Sequence, residues 1–330
     1  MILEKTNNQR IAWIDILKGI GIIFVVLGHV IYNDMIFNWI YSFHMPLFFF
    51  AGGYLYKKDT NIVQNIKHKF RSIMIPYFLF GLLILLYWYL IERKFRDSSQ
   101  TLGGALWGLL SGEYQYLDFN VHLWFLPCFF LVVVTYNLLN CLFEGKWVML
   151  VSVVMALIHS FIILPELIWG AEKVFQYIIF FSIGDWFEKS CRFDKNANEI
   201  LLPMTFVCLI LNIVLGVYGF NDGVLWYIVA LAGVLPCVVL SCWVEHMSTL
   251  EYFGKISVVV LCIHGPIYRI LIKVVSIICG CTTSGVRENG ILVLLIVVVT
   301  LLGCAIVYEV GKRVILWLLG KRKVWLEYIQ

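Results

Sequence analysis

Ten stretches of about twenty mostly apolar residues recur along this chain, and that is the length an α-helix needs to cross the hydrocarbon core of a bilayer. By that ruler helices are expected near 11–33, 36–56, 73–91, 121–143, 147–164, 172–187, 200–220, 224–243, 256–279 and 290–310. The segments between them are too short for a soluble domain, the longest being 92–120, and no internal repeat is visible. Composition points the same way, because 61% hydrophobic and 14% charged residues leave too little polar side chain to coat a globule in water. The expected fold class is therefore an all-α integral membrane protein of about ten transmembrane helices, one domain over residues 1–330.

Charge orients this path. With the N-terminus in the cytoplasm, seventeen basic residues fall inside, among them Lys57, Lys58, Lys67, Lys69, Arg71, Lys146, Lys189 and Lys255. Arg93, Lys94, Arg96 and Arg287 alone fall in outer loops, while Lys18, Lys173, Arg269 and Lys273 lie within or at the ends of spans. That bias follows the positive-inside rule and predicts both termini in the cytoplasm; the mirror topology would invert it. The first apolar stretch runs past Lys18 with no small-residue cleavage site, so it is expected to stay as the first transmembrane helix. Within the long outer segment, TLGGALWGLLSG is too short to span and reads as an interfacial or re-entrant helix with Trp107 at headgroup level, or as a cap over a site.

Several function classes drop out. A net charge of +4 spread over loops, with no basic domain, argues against a nucleic-acid partner. The ten cysteines sit mostly singly in apolar runs and pack as small hydrophobes, and no CxxC pair suggests zinc or redox chemistry. A Walker loop, a GxGxxG, an HExxH and a GxSxG elbow are all missing, so no metal is expected.

What remains is a set of polar groups within apolar helices, where they are costly and by default functional candidates. Lys18 and His29 are eleven residues apart, close to three helical turns, so they share one face about 16 Å apart along the axis. Asp15 joins that face one turn below Lys18, where the pair can neutralise itself and serve as nothing more than an interfacial anchor. A turn placed around Asn33 to Asn38 puts His44 of the second helix at the depth of His29, where two imidazoles can line one cavity as a reaction centre or proton path, the plainer reading of each being a hydrogen-bonded core histidine. His122 and Trp124 open HLWFLPCFF, and Ser257 and His264 share a face of GKISVVVLCIHGPIYRI. The plainer readings for these are an interfacial histidine and a helix-packing hydrogen bond. Arg71, in KHKFRSIMIPYF, has a guanidinium suited to bidentate phosphate contact, against a simple topological role for its lysine neighbours.

These blocks carry a resemblance. WIDILKGIGIIFVVLGHV followed by YSFHMPLFFFAGGYLYKK resembles the opening of the acyltransferase-3 family of bacterial membrane acyltransferases, with a basic residue, ten intervening residues and a histidine at Lys18 and His29. RSIMIPYF, HLWFLPCFF and YFGKISVVVLCIHGPI resemble later family blocks in the family's order. The likeness is closest to the fucose-acetylase and capsule or exopolysaccharide O-acetyltransferase branch. Two departures stand out: lysine occupies a place where many relatives have arginine, and Ala51-Gly52-Gly53 stands where relatives often have a serine before glycine. No soluble hydrolase-like or racemase domain of the kind some relatives carry is expected from these residues.

The resemblance implies residence in the bacterial plasma membrane, acetyl-CoA as donor, and a surface polysaccharide or its lipid-linked precursor as acceptor. It implies His29 as general base or transient acyl carrier, with His44 and Asp15 in the catalytic set. Lys18 and Arg71 then serve acyl-CoA, and His122, Trp124, Ser257 and His264 the acceptor. Rival readings are an O-succinyl or other O-acyl transferase, a proton-coupled transporter or polysaccharide exporter, and an inactive scaffold subunit. The transporter should show inverted-repeat halves, and none is visible.

Overall fold

A computed structural model describes residues 11–96, 99–190, 198–220, 223–244 and 246–318, with 198–201 and 313–318 as backbone alone. Every regular element among these residues is helical. The order is α1 (Ala12–Val30), α2 (Asp34–Tyr54), α3 (Ile62–Lys69), α4 (Ile75–Leu90), α5 (Leu102–Ser111), α6 (Phe125–Leu142), α7 (Gly145–Phe161) and α8 (Ala171–Ser190). There follow α9 (Asn198–Val217), α10 (Gly223–Trp243), α11 (Ser248–Lys255), α12 (Ser257–Cys279), α13 (Thr283–Glu288) and α14 (Gly290–Leu318). Helix is present at each of the ten stretches read from the sequence. Both chain termini and the segment 191–197, and with them Lys5, Arg10, Arg192, Lys195, Lys321, Arg322 and Lys323, lie outside the described residues.

Among the described residues six helical stretches are long and apolar enough to cross a membrane: Ala12–Val30, Ile62–Lys94, Val121–Leu142, Gly223–Trp243, Ser257–Cys279 and Gly290–Lys312. Their outward faces carry what lipid would solvate. On α4, Leu79, Leu82, Leu83, Leu86 and Leu90 are exposed at helical spacing, as are Leu294, Leu295, Val298, Leu302 and Ile306 on α14. The helices that fall short in apolar character include α2 and α8, and these sit in the interior. Gly53 lies against the Phe181 backbone and Gly184 against that of Phe50, so the two axes approach with no side chain between them. A helix surrounded by protein need not be apolar all round, which is why α2 tolerates His44 and α8 carries the buried Asp185 bound by Tyr136 and Lys189.

Two local differences from the sequence reading have physical causes. The third span begins eleven residues earlier than expected, because α3 runs into α4 through a π-helical turn, Phe70–Met74, that keeps the basic segment helical. Pro76, which has no N–H to give to the preceding turn, follows directly on that π-helical turn. The turn between α1 and α2 is only residues 31–33, with Asn33 capping α2 through a 3.1 Å bond from the Ile36 N–H, so it falls earlier than the Asn33 to Asn38 placement.

Helix α11 is the other element that positions the site. Gly19 of α1 rests on the backbone of Leu250, and Gly254 of α11 on the Asp15 carbonyl. The short helix thus clamps the first turns of α1 at the level of the charged pair. Short helix α5 starts at the Thr101 cap and ends at Gly112 in a left-handed conformation. Its last carbonyls accept bonds from Tyr77 (2.8 Å to Leu109 O) and Trp169 (2.9 Å to Leu110 O), fixing the 102–111 segment to α4 and to the start of α8.

Candidate active site

Three histidines from distant parts of the chain meet at one point. His29 comes from the last turn of α1, His122 from the 3-10 turn Val121–Trp124 ahead of α6, and His264 from the third turn of α12. The His122 ring centre is 3.9 Å from that of His29 and 4.2 Å from that of His264, with 5.5 Å between the outer two. His122 and His264 are almost fully buried, at 3% and 0% exposure, and His29 is partly buried.

The sequence around α12 builds this junction step by step. Pro266 has no N–H, so the carbonyl four residues earlier, that of Cys262, is left without its helical partner. Asn120 fills that vacancy, donating from Nδ2 to Cys262 O at 2.7 Å. Gly265 makes the approach possible: a Cβ there would stand 3.0 Å from both Asn120 Oδ1 and the His122 ring. Arg269, one turn on, completes the attachment. It pairs with Glu92 at 2.7 Å and donates to Phe119 O at 2.9 Å, while Arg96 joins Glu92 to Asp118. The strap 118–122 is thus held to α12 at two points just ahead of His122.

Hydrogen bonds fix which nitrogens face inward. His264 donates from Nδ1 to Val260 O at 2.8 Å, with Leu261 O also within 3.0 Å, so its Nε2 is the lone-pair atom. His29 Nδ1 shares a 2.9 Å bond with the Tyr41 hydroxyl. Arg287 supports the end of α1 from the other side, donating to the otherwise unpaired carbonyls of Val30 at 3.0 Å and His29 at 3.3 Å. His264 Nε2, both nitrogens of His122 and Asn120 Oδ1 are buried without a hydrogen-bond partner. Buried polar atoms are normally satisfied, so these atoms mark a place where something polar belongs.

The other residues singled out in the sequence separate from this centre to different degrees. His44 does not reach His29's level. The short α1–α2 turn puts His29 beside Tyr41 and leaves His44 about one turn deeper, donating from Nδ1 to Ile40 O at 2.8 Å. Tyr41 stands between the two, 5.7 Å from the His29 ring and 4.7 Å from the His44 ring. The matched depth read for His29 and His44 is therefore corrected to a tyrosine-spaced pair. Asp15 and Lys18 form the anticipated ion pair at 2.7 Å, three turns below His29 on the same helix. Ser257 is buried at the start of α12, nearly two turns from His264. Trp124 turns away from the imidazoles to pack 6.1 Å from Tyr177 and under Lys173 Nζ at 5.4 Å. Arg71 is exposed on the π-helical turn.

Sequence reasoning missed Asn120, Tyr41, Arg269 and Arg287. A proline in an otherwise regular apolar helix announces an orphan carbonyl, but nothing local says which distant side chain answers it. Arg269 and Arg287 read as topology because their partners, a loop carbonyl, the last carbonyls of α1 and a carboxylate, are brought close only by folding.

Comparison with known proteins gives this arrangement a family. The family model described as an acyltransferase domain matches residues 11–309. The chain is 28% identical over 211 residues to the nodulation protein NolL of Sinorhizobium fredii, a match covering 59% of this chain and 52% of that protein. The chain thus spans about half the length of the curated relative it matches. No solved structure matches it. With Lys18, His29, His122 and His264 all inside a family match that runs from the start of α1 to the last part of α14, the chain belongs to the acyltransferase-3 family.

Proposed function

We propose that this protein is a membrane O-acyltransferase of the bacterial plasma membrane that moves an acetyl group from acetyl-CoA to a hydroxyl of a surface glycan or its lipid-linked precursor. The observation that carries the reading is His29: it ends a helix whose other end holds the Lys18–Asp15 pair, and it lies in a buried polar junction inside an acyltransferase-family match. In the proposed topology ten helices span the bilayer, both termini are cytoplasmic, and His29 lies toward the outer side. Lys18 and Arg71 then sit on the side where acyl-CoA is found. A lysine held by Asp15 offers a fixed positive charge to the donor, and Arg71 a guanidinium to the CoA phosphates.

The chemistry follows from the hydrogen bonds. The Tyr41 hydroxyl lies 2.9 Å from His29 Nδ1 and 3.4 Å from Nε2; in the tautomer in which Nδ1 donates to it, Nε2 carries the lone pair of a general base. The acceptor hydroxyl gives its proton to Nε2 as its oxygen attacks the thioester carbonyl carbon. The C–S bond breaks, and the CoA thiolate leaves with the proton returned by the imidazolium. His122, His264 and Asn120 line the approach and offer hydrogen-bonding atoms to the acceptor's hydroxyls. Acyl transfer through His29 itself, as an acyl-imidazole, uses the same geometry in two steps.

The test is purified protein in nanodiscs with labelled acetyl-CoA and the host's envelope glycan. Ester-linked label on the glycan, with one free CoA per ester, supports the reading. Transfer from succinyl-CoA alone would change the donor. Absence of reaction with any acyl-CoA would remove the enzyme reading in favour of a proton-coupled transporter.

A further inference from the structure

The histidine junction has the makings of a metal centre. The ligating nitrogens of His29, His122 and His264 all lie within 4.8 Å of one another. Three points so spaced fit within a circle of about 2.8 Å radius, so inward moves of about 0.7 Å would bring all three to the ordinary Zn–N distance of about 2.0–2.1 Å. Ring rotations suffice for that, and His122 is restrained by no hydrogen bond to either nitrogen.

The surroundings fit a cation better than an anion. His264 Nδ1 donates to the Val260 carbonyl, the outer hydrogen bond that metal-bound histidines commonly make, and this directs the Nε2 lone pair inward. The Tyr41 hydroxyl, 2.9 Å from His29 Nδ1, is placed to accept the same kind of outer bond in the tautomer that leaves the lone pair on Nε2. Asn120, with Nδ2 committed to Cys262 O, turns an unpartnered Oδ1 toward the junction. A buried space bordered by lone pairs from three imidazoles and an amide oxygen attracts a Lewis acid. The guanidinium of Arg269 is balanced by Glu92, which limits its repulsion of such an ion.

We infer that His29, His122 and His264 bind one zinc-type divalent ion, with the fourth position open to an oxygen ligand. This rests on the acyltransferase reading of the same site and changes one role within it. The His29 lone pair would go to the ion, and the acceptor hydroxyl, as fourth ligand, would be made acidic by it. The overall transfer is unchanged, the hydroxyl proton ending on the CoA thiol.

The experiment uses untagged full-length protein in nanodiscs, stripped with chelator, incubated with Zn2+, desalted and assayed for metal by mass spectrometry. Co2+ is the optical probe in a parallel sample, since tetrahedral and octahedral cobalt absorb differently. About one zinc per chain is expected in the wild type and in His44→Ala, falling at least tenfold in His122→Ala and in His264→Gln, with intense tetrahedral cobalt bands only in the first two. Thermal melts of the stripped proteins separate lost ligation from lost fold. If His264→Gln does not fold, His122→Ala and His29→Gln decide. Wild-type protein that retains no zinc, or variants that keep it, would overturn the inference. Acyl transfer at full rate by zinc-free protein would overturn it while leaving the acyltransferase reading intact. Stoichiometric zinc without transfer to any acceptor would do the reverse.

Discussion

At the scale of single residues, His29 is held on one side by the Tyr41 hydroxyl and pressed on the other by His122. Removing the tyrosine oxygen leaves the ring in place but frees its orientation, which is worth about 1 kcal/mol for a neutral hydrogen bond. Tyr41→Phe should therefore lower kcat by about fivefold with little change in KM for acetyl-CoA, and an unchanged kcat would show that Tyr41 does not orient His29. In the proposed reading Lys18 serves the donor end. Lys18→Ala should raise KM for acetyl-CoA by about tenfold while sparing kcat, as expected for loss of one charge-assisted contact; equal KM values would return Lys18 to a role in anchoring α1. The Lys18–Asp15 pair and its helix face were legible because helical periodicity is local. The part played by Tyr41 was not, since it depended on the length of a turn that the sequence left ambiguous by several residues. Asn33 as the cap of α2 was the signal that would have set it.

At the scale of elements, the junction depends on how closely the 118–122 strap meets α12. Gly265 and Pro266 adjoin in one helical turn: the first leaves room, the second frees a carbonyl for Asn120. Gly265→Val should push Asn120 and His122 away, costing about 1–3 kcal/mol as overpacking does and abolishing transfer in protein that still folds. A fully active Gly265→Val enzyme would show that the strap has another way to fit. Arg269→Met leaves Glu92 with only the longer Arg96 contact, 3.6 Å away, and should destabilise the fold by about 3 kcal/mol, read as a lower Tm. Pairing it with Glu92→Leu should restore much of that loss, which separates a stranded charge from lost packing. The sequence showed His264 and its helix plainly. It did not show that the IHGPIYR run is one side of a joint, because the other side arrives from a loop far away in the chain.

At the scale of the whole molecule, the account needs a bundle that presents the cytoplasmic ends of α1 and α3 to acyl-CoA and the His29 end to the opposite face. The free thiols of Cys279 and Cys281, exposed where α12 ends, report on this directly. A membrane-impermeant maleimide should label them from outside intact cells and lose that labelling in Cys279→Ser/Cys281→Ser; labelling only after permeabilisation would invert the topology. Helix positions were readable because long apolar runs are a local property of the sequence. Burial of α2 and α8 was not, since an interior helix and a lipid-facing one differ in which neighbours surround them. Those neighbours follow from close approaches such as Gly53 on Phe181 and Gly184 on Phe50.

The most direct test of the central claim, that His29 stands where the acyl group is transferred, is a single-turnover measurement of labelled acetyl-CoA with envelope glycan, comparing wild type with His29→Ala in nanodiscs. The account predicts ester-linked label on the glycan in the wild type and a rate lower by at least about 100-fold in His29→Ala, with equal thermal stability. Equal rates in the two proteins would place the chemistry elsewhere and contradict the account.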